Sequence, residues 1–152
     1  MDERMTLAKL EAVVGTELDV SDWLPMTQER INAFAECTED RQWIHVDVER
    51  AAQGPLKSTV AHGFLVLSLL AHWTGRIEVF RTGYKMVVNY GLDRVRFLSP
   101  VRPGDRIRNR AVLSEVKSKG ASRILVKVAN TIEIEGSDKP ALTAETLAVF
   151  FI

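Results

Sequence analysis

The stretch that decides the fold is HGFLVLSLLAHW, residues 62–73, because it describes a helix with almost no polar face. Between its first glycine and the closing Ala-His-Trp, Ser68 is the one polar side chain. A helix that is apolar nearly all round has no side to present to water, so the rest of the chain must surround it. The run is also far shorter than the roughly 20 apolar residues of a membrane span. The stretch therefore predicts a buried central helix from Gly63 to about Trp73.

The chain after this helix supplies the surrounding layer. It is rich in β-branched residues in runs separated by turn residues, such as Lys119-Gly120. Charged and apolar residues alternate in Ile-Glu-Ile-Glu at 132–135, which is typical of a strand with one buried face. Long strands that follow one buried helix predict an α+β fold in which an antiparallel sheet curls around that helix. The predicted strands cover residues 85–89, 93–98, 106–116, 123–135 and 142–152.

Three shorter helices are predicted before the central one. An amphipathic stripe covers residues 6–14, and a second helix covers residues 27–37, with Thr27 as its N-cap. A third covers residues 48–53 and is capped by Asp47. The second and third helices flank a polar run, so that run is expected to lie between two fixed ends.

Length and composition exclude several classes of protein. The chain of 152 residues fits a single domain over residues 1–152, which is large enough for a real core. Its 20 basic and 20 acidic residues give a formal charge of zero, so no overall field attracts nucleic acid or a membrane surface. The single cysteine, Cys37, excludes an intramolecular disulfide framework and fits a reducing compartment. The N-terminus mixes charged and apolar residues and is not a signal peptide, so we expect a cytoplasmic protein.

The polar run contains the residues best suited to catalysis, Asp40 and His45. In a helix, positions five apart point roughly 140° away from each other, and in a strand they lie on opposite faces. The two side chains therefore converge only if the chain breaks between them, and the polar residues 39–42 supply that break. A carboxylate beside an imidazole offers a proton acceptor and a proton donor near pH 7. The pair is suited to hold and polarise one water molecule.

The stretch FAECTEDRQWIHVDVERA, residues 34–51, resembles the hydratase motif of the MaoC-like (R)-specific enoyl-coenzyme A hydratases. In that motif an aromatic residue leads into a short helix. Ser or Thr, Gly, Asp, any residue, Asn, Pro, an aliphatic residue and His then follow, with a small residue six positions later. The matching residues here are Phe34, Thr38, Asp40, Ile44, His45 and Ala51.

Three positions depart from the motif. Glu39 stands where the family usually has Gly, Gln42 where it has Asn, and Trp43 where it has Pro. Gln42 keeps an amide able to orient the loop, whereas the other two changes alter the freedom of the backbone. The departures therefore concern the geometry of the loop more than its chemistry.

A second resemblance lies at residues 59–65, where the family carries an aliphatic residue, a small residue, His and Gly at the start of its central helix. A third follows at residues 95–105, so the likeness extends from about Trp23 to the C-terminus. It implies the hot-dog fold, an antiparallel sheet wrapped around the long apolar helix. It also implies that the N–H of Gly63, at the positive end of the helix dipole, holds the thioester oxygen as it gains enolate charge.

The resemblance implies an activity in fatty-acid metabolism. Such an enzyme, a carbon–oxygen lyase, adds water reversibly across a trans-2-enoyl-CoA to give an (R)-3-hydroxyacyl-CoA. Asp40 and His45 would hold the water from two sides, and no cofactor is implied beyond the coenzyme A or acyl carrier protein that carries the acyl group. The family also implies a homodimer. Within it, the sequence looks closest to stand-alone single-domain members and to relatives of nodulation protein N.

Further residues are candidates for binding substrate. Gln42 is adjacent to the catalytic pair in sequence, and His62 starts the central helix, where it either contacts substrate or bonds backbone. Asn89 precedes Tyr-Gly in a strand-like run and is predicted to lie in a bulge near the site. Arg108 and Arg110 alternate along one strand. They form either a solvated outer face or a contact surface for the phosphates of coenzyme A or an acidic carrier protein.

Two rival functions and one class of site are weighed against this interpretation. A catalytically idle acyl-thioester-binding subunit of a dehydratase heterodimer is disfavoured because both Asp40 and His45 are present. A hot-dog thioesterase would place an acidic residue on the central helix, which has none. No metal site is expected, since three histidines and one cysteine are scattered along the chain.

Overall fold

The computed structural model describes residues 5–152. Residues 1–4, part of the segment predicted not to be a signal peptide, lie outside the described range. The helices are α1 (Leu7–Glu11), α2 (Gln28–Thr38), α3 (Trp43–Val46), α4 (Val48–Gln53) and α5 (Gly63–Thr74), with a 3-10 turn at Glu78–Phe80. The strands are β1 (Glu17–Val20), β2 (Leu24–Pro25), β3 (Met86–Phe97), β4 (Arg106–Ser118), β5 (Arg123–Ile134) and β6 (Leu142–Phe151).

The strands form one six-stranded sheet in which every pairing is antiparallel. The order across the sheet is β1-β4-β5-β6-β3, and β2 pairs with β4 beside β1. Strand β3, the first long strand in sequence, therefore ends up at one edge, next to the last strand. This arrangement confirms the predicted α+β class with an antiparallel sheet.

Helix α5 is buried against the inner face of this sheet, as its sequence predicts. Its apolar side chains share one core cluster with Ile107, Ile132 and Leu142 from three different strands. Residues of α5 that remain exposed form a single stripe along the helix: Phe64, Ser68, Ala71 and His72. Because the sheet, together with α2 and the adjoining loops, covers all but this stripe, the helix start is held in a fixed position relative to the strands.

Four local features differ from the prediction. Strand β3 is continuous, where the sequence predicts two strands, because the chain bulges between Asn89 and Gly91 and pairing with β6 continues beyond it. The first predicted helix ends early, at Glu11. His45 lies in the short helix α3, where the sequence predicts a loop. The short strands β1 and β2 give no periodic signal in the sequence and were not predicted.

The predicted break between Asp40 and His45 is present, and it begins at Glu39. Helix α2 starts at its N-cap Thr27 and is followed by Glu39 at φ 63° and ψ 10°, a left-handed conformation. The hydratase motif carries glycine at this position, and glycine adopts left-handed conformations readily. Glu39 adopts such a conformation although it has a side chain. Arg41 makes two hydrogen bonds of 2.9 Å to Glu36 across the break. The hydrogen bond from Arg41 and its positive charge lower the pKa of the Glu36 carboxyl.

We expect Glu39→Gly to stabilise the protein. A residue with a Cβ costs roughly 1–2 kcal/mol of stability in the left-handed region, and glycine avoids this cost. Glycine also raises the conformational entropy of the unfolded chain, which cancels part of the gain. The net gain in the free energy of unfolding should be about 0.5–1 kcal/mol, measured by urea denaturation. Glu49→Gly, at an exposed helical position in α4, is the matched control and should destabilise. A loss of stability in Glu39→Gly would contradict the argument.

Candidate functional site

Three elements meet at the end of the sheet where α5 begins. The segment after α2 carries Asp40, α3 carries His45, and His62 immediately precedes α5. One oxygen of Asp40 and one ring nitrogen of each histidine lie within 4.8 Å of one another. The Asp40 side chain is 55% exposed, whereas His45 and His62 are 7% and 3% exposed. A solvent-facing carboxylate therefore lies over two buried imidazole rings.

The His45 ring is held by the backbone of a neighbouring segment. Its Nδ1 lies 2.7 Å from the carbonyl oxygen of Val60. Since a carbonyl only accepts hydrogen bonds, Nδ1 carries the proton of this bond, and the Nε2 of the neutral ring is left as an acceptor. The backbone is fixed as well: the His45 N–H donates to the Gln42 carbonyl at 2.9 Å. Gln28 Nε2 donates to the His45 carbonyl at 2.8 Å.

Asp40 keeps its carboxylate available to solvent. Its Oδ1 is 3.4 Å from the Gln42 N–H, a long hydrogen bond, and its Oδ2 is 3.9 Å from His62 Nε2. The stronger contact is made by its backbone carbonyl, which lies 2.9 Å from His62 Nε2. An ionised carboxylate has about four acceptor positions, so Asp40 retains capacity to bind a water molecule.

The two histidine rings are stacked. Their centroids are 3.7 Å apart with an interplanar angle of 20°, and Phe34 packs on His62 at 5.0 Å between centroids. Within residues 5–152, His62 Nδ1 is buried and has no hydrogen-bond partner. His62 thus lies between the motif's aromatic residue and the ring of His45.

Gly63 is the first residue of α5 and supplies a free donor. Among the described residues its N–H has no acceptor, as is usual in the first turn of a helix. A Cβ at this position would lie 2.9 Å from the Phe97 ring, so a larger residue here would require the half-exposed Phe97 ring to move. A cavity of about 250 Å³ adjoins it, lined by Gly63, Phe97, Val66 and Val101 among others. The helix N-terminus therefore meets an apolar cavity.

A larger groove follows the exposed stripe of α5. It has a volume of about 620 Å³ and lies between the helix and strands β3 and β6. Most of its lining is apolar, as at Phe64, Leu67 and Leu92. The predicted substrate contact Asn89 is in its wall, at the bulge of β3. An apolar lining of this kind is suited to an apolar ligand.

The predicted contacts Arg108 and Arg110 lie elsewhere. Their neighbour Ile107 is buried in the core beside α5, so the arginines are on the opposite, outer face of the sheet. Both bind Glu133, with Arg108 Nε at 2.6 Å and Arg110 Nε at 3.2 Å. The hydrogen bond from Arg108 is the main cause of the lowered pKa of Glu133. Arg110 also pairs with Glu17. Both guanidinium groups have carboxylate partners, and substrate binding by them stays a prediction.

Gln28, and not the side chain of Gln42, makes the amide contacts that hold the His45 segment. The Gln42 side chain is exposed and makes no hydrogen bond to another described residue; its backbone carbonyl orients His45. Gln28 was not predicted, yet it binds the His45 carbonyl and accepts from the Thr59 hydroxyl. These partners are 17 and 31 residues away in sequence, so no local pattern could have identified Gln28.

Asp40, His45 and His62 are nearer to one another than their sequence spacing suggests, and such a group invites comparison with metal sites. The rings are nearly parallel, so their lone pairs do not converge on one point. His45 Nδ1 and His62 Nε2 are also already bound to carbonyls. The geometry fits acid–base chemistry better than metal ligation, and the expectation of no metal stays a prediction.

Among residues 5–152, no helix has the length and apolar character needed to cross a membrane.

Comparison with known proteins agrees with this geometry. The MaoC-like domain model matches residues 9–135 of the chain. The chain is 44% identical over 142 residues to 3-hydroxyacyl-thioester dehydratase Z of Mycobacterium tuberculosis (strain ATCC 25618 / H37Rv), covering 93% of both proteins. It is 45% identical over 148 residues to nodulation protein N of Rhizobium leguminosarum bv. viciae, covering 95% of this chain and 91% of that protein.

Solved structures share the fold. The monoamine oxidase regulatory protein from Archaeoglobus fulgius superposes with a TM-score of 0.78 at 27% identity, covering 91% of this chain and 90% of that one. The R-hydratase PhaJ1 from Pseudomonas aeruginosa superposes with a TM-score of 0.76 at 21% identity, covering 95% and 84%. The predicted hot-dog fold is thereby confirmed. The chain belongs to the MaoC-like family and is a dehydratase, a carbon–oxygen lyase.

Proposed function

We propose that this protein catalyses the reversible (R)-specific hydration of trans-2-enoyl thioesters to (R)-3-hydroxyacyl thioesters in fatty-acid metabolism. Coenzyme A or an acyl carrier protein would carry the acyl group. The observation that carries the proposal is the grouping of Asp40, His45 and His62 within 4.8 Å, with the free N–H of Gly63 on the residue that directly follows His62. They include the acid–base pair and the oxyanion donor that the reaction needs.

In this proposal a single water molecule binds between Asp40 and His45. Two hydrogen bonds of about 2.8 Å that meet at a tetrahedral angle span about 4.6 Å. One oxygen of Asp40 and one ring nitrogen of His45 lie within 4.8 Å of each other, so a bridging water is compatible with their separation. One proton of the water goes to Asp40 or to His45 Nε2 as the oxygen attacks C3. C2 then receives a proton from the acid–base pair, so the sum is one water added across the double bond. Both groups are acceptors in the resting site, so either can take the first proton.

The developing charge would be held at Gly63. As the water oxygen bonds to C3, electron density moves through C2 onto the thioester oxygen, and a fixed N–H aimed at that oxygen stabilises the enolate. A donor of this kind is typically worth about 3–4 kcal/mol in the transition state. The acyl chain would extend from there into the apolar groove beside α5.

The proposed chemistry needs no cofactor, because acid–base groups and one backbone dipole account for each step. We also propose a cytoplasmic, single-domain enzyme whose partners are its thioester substrate and a second copy of itself. Retention of both Asp40 and His45 argues against the idle-subunit alternative. The lack of an acidic residue on α5 argues against a thioesterase.

The first test is hydration of crotonyl-coenzyme A, followed by loss of its absorbance and chiral analysis of the product. Asp40→Asn and His45→Gln should each lower kcat by roughly 10²- to 10⁴-fold, because each removes a positioned acid or base. Asp47→Asn is the matched control: it makes the same chemical change nearby, and asparagine can still cap α4. Near-normal turnover in either site variant would remove that residue from the mechanism, and an (S) product would overturn the proposal.

A second test removes the donor at Gly63. Proline lacks the N–H but suits the first position of a helix, and His62 at φ −58° and ψ 135° already has the conformation favoured before proline. The Phe97 ring must be trimmed to make room. We expect Gly63→Pro/Phe97→Ala to lower kcat by about 10²- to 10³-fold relative to Phe97→Ala alone. Equal turnover in these two variants would exclude the N–H of Gly63 from the reaction.

We propose that a second copy of the chain pairs along β3. This strand lies at the sheet edge, so one row of its backbone groups has no strand partner among residues 5–152. It also carries much of the exposed apolar surface: Met86, Val87, Val88, Tyr90, Leu92 and Phe97. A long apolar edge of this kind is normally covered, and pairing would continue the sheet into the partner.

Charge on this edge should prevent the pairing. Tyr90→Lys and Leu92→Lys together should halve the molar mass measured by size-exclusion chromatography with light scattering. Val14→Lys introduces the same charge at another exposed apolar position and should leave the mass unchanged. A wild-type protein that is monomeric at micromolar concentration would contradict the homodimer. A wild-type protein that gains mass only when it is mixed with a different dehydratase subunit would favour a heterodimer instead.

A further inference from the structure

The proposed reaction assigns no step to His62, although this residue is the most deeply buried of the three clustered side chains. We propose that His62 is a positioning residue that holds the Asp40 segment, the His45 ring and the Gly63 N–H in register with one another. The inference rests on the proposed roles of those three residues. Of the two roles that the sequence leaves open for His62, contact with substrate and a bond to backbone, it develops the second, and substrate contact stays a prediction.

The first link is to Asp40. His62 Nε2 lies 2.9 Å from the Asp40 carbonyl, and the carbonyl can only accept, so Nε2 must carry a proton. Asp40 directly follows the left-handed residue Glu39, at the point where the chain leaves α2. The hydrogen bond from His62 therefore fixes the peptide that carries Asp40 just where regular structure no longer does.

The second link is to His45. The bond from His45 Nδ1 to Val60 fixes this ring within its own plane, and His62 covers one face of it at 3.7 Å. Rotation of the His45 ring would require His62 to move. Movement of His62 is opposed in turn by Phe34, which packs against it. The direction of His45 Nε2 is thus set by His62 together with Val60.

The third link is covalent. His62 is the N-cap of α5, and the N–H of Gly63 belongs to the peptide bond that joins these two residues. Any displacement of His62 would turn that N–H away from the position at which a thioester oxygen binds. One side chain therefore connects the acid–base pair to the oxyanion donor.

The unpaired nitrogen of His62 agrees with a fixed role. Nδ1 is buried without a partner among residues 5–152, which is unfavourable for a polar atom. If Nδ1 carried a proton as well, that donor would be buried without an acceptor. The contacts of His62 thus suit a permanent Nε2 donor and give the ring no route by which to pass protons to a substrate.

Two substitutions separate the hydrogen bond from the packing. His62→Phe keeps a planar ring for the stack and loses the donor, whereas His62→Gln keeps an amide N–H the same number of bonds from Cα. We expect His62→Phe to lower kcat by roughly 10- to 100-fold with KM changed less than about threefold, because small misplacement of reacting groups is costly. His62→Gln should recover most of the loss. His72→Phe is the control and should be neutral, because His72 is exposed and is not part of the lining of the groove beside α5.

A double-mutant cycle distinguishes an action of His62 through Asp40 from a general structural role. If His62 acts through Asp40, then His62→Phe should cost much less in the Asp40→Asn background than in the wild type. Equal costs in both backgrounds, or equal losses in His62→Phe and His62→Gln, would overturn the proposal. So would a His62→Phe enzyme with the kcat of the wild type.

The tautomer is measured directly and without an activity assay. Long-range ¹H–¹⁵N correlation spectra of the wild-type protein should show His62 neutral with the proton on Nε2, and that signal should persist in Asp40→Asn. A proton on Nδ1 instead would overturn the proposal, even if His62→Phe failed to fold. Absence of hydratase activity in the wild type together with the Nε2 proton would refute the proposed function and leave the hydrogen bond to Asp40 intact.

Discussion

Burial of α5 by the sheet is the constraint on which the rest of the structure depends. The helix has almost no polar side, so the strands must close around it, and its first turn becomes a fixed point at one end of the sheet. The same core cluster includes Met26 and Ile31, which hold the start of α2 against it. The segments that carry Asp40 and His45 are therefore positioned relative to a helix that cannot shift without exposing its apolar surface.

Hydrogen bonds to backbone carbonyls, more than ion pairs, hold the side chains of the site in place. Each buried imidazole gives one nitrogen to a backbone carbonyl, at Val60 for His45 and at Asp40 for His62. Neutral hydrogen bonds of this kind avoid the desolvation penalty of a buried ion pair, and they leave the direction of the remaining nitrogen fixed before substrate arrives. The ion pairs of Arg108 and Arg110 lie on the opposite face of the sheet, where they link β4 to its neighbours.

Sequence reasoning succeeded where the signal was periodic or local. Helix α5 and strands β4 and β5 begin at the predicted residues because their apolar patterns are long. The stack of His62 on His45 and the contacts of Gln28 depend on residues far apart in sequence, so they needed the folded chain. Glu39 shows a different limit of prediction from sequence. Glutamate disfavours the left-handed conformation, yet Glu39 adopts it directly after α2.

Strand β3 connects the proposed assembly to the proposed chemistry. In the part of the chain that the structure describes, its outer edge has no strand partner, and its inner side forms one wall of the groove beside α5. The ring of its last residue, Phe97, lies so near Gly63 that a Cβ at Gly63 would be 2.9 Å from it. A partner strand along β3 would cover the exposed edge and restrict the motion of Phe97. Pairing of two copies would thus order both the wall of the proposed acyl groove and the surroundings of the proposed oxyanion donor. Formation of the dimer would then contribute to catalysis.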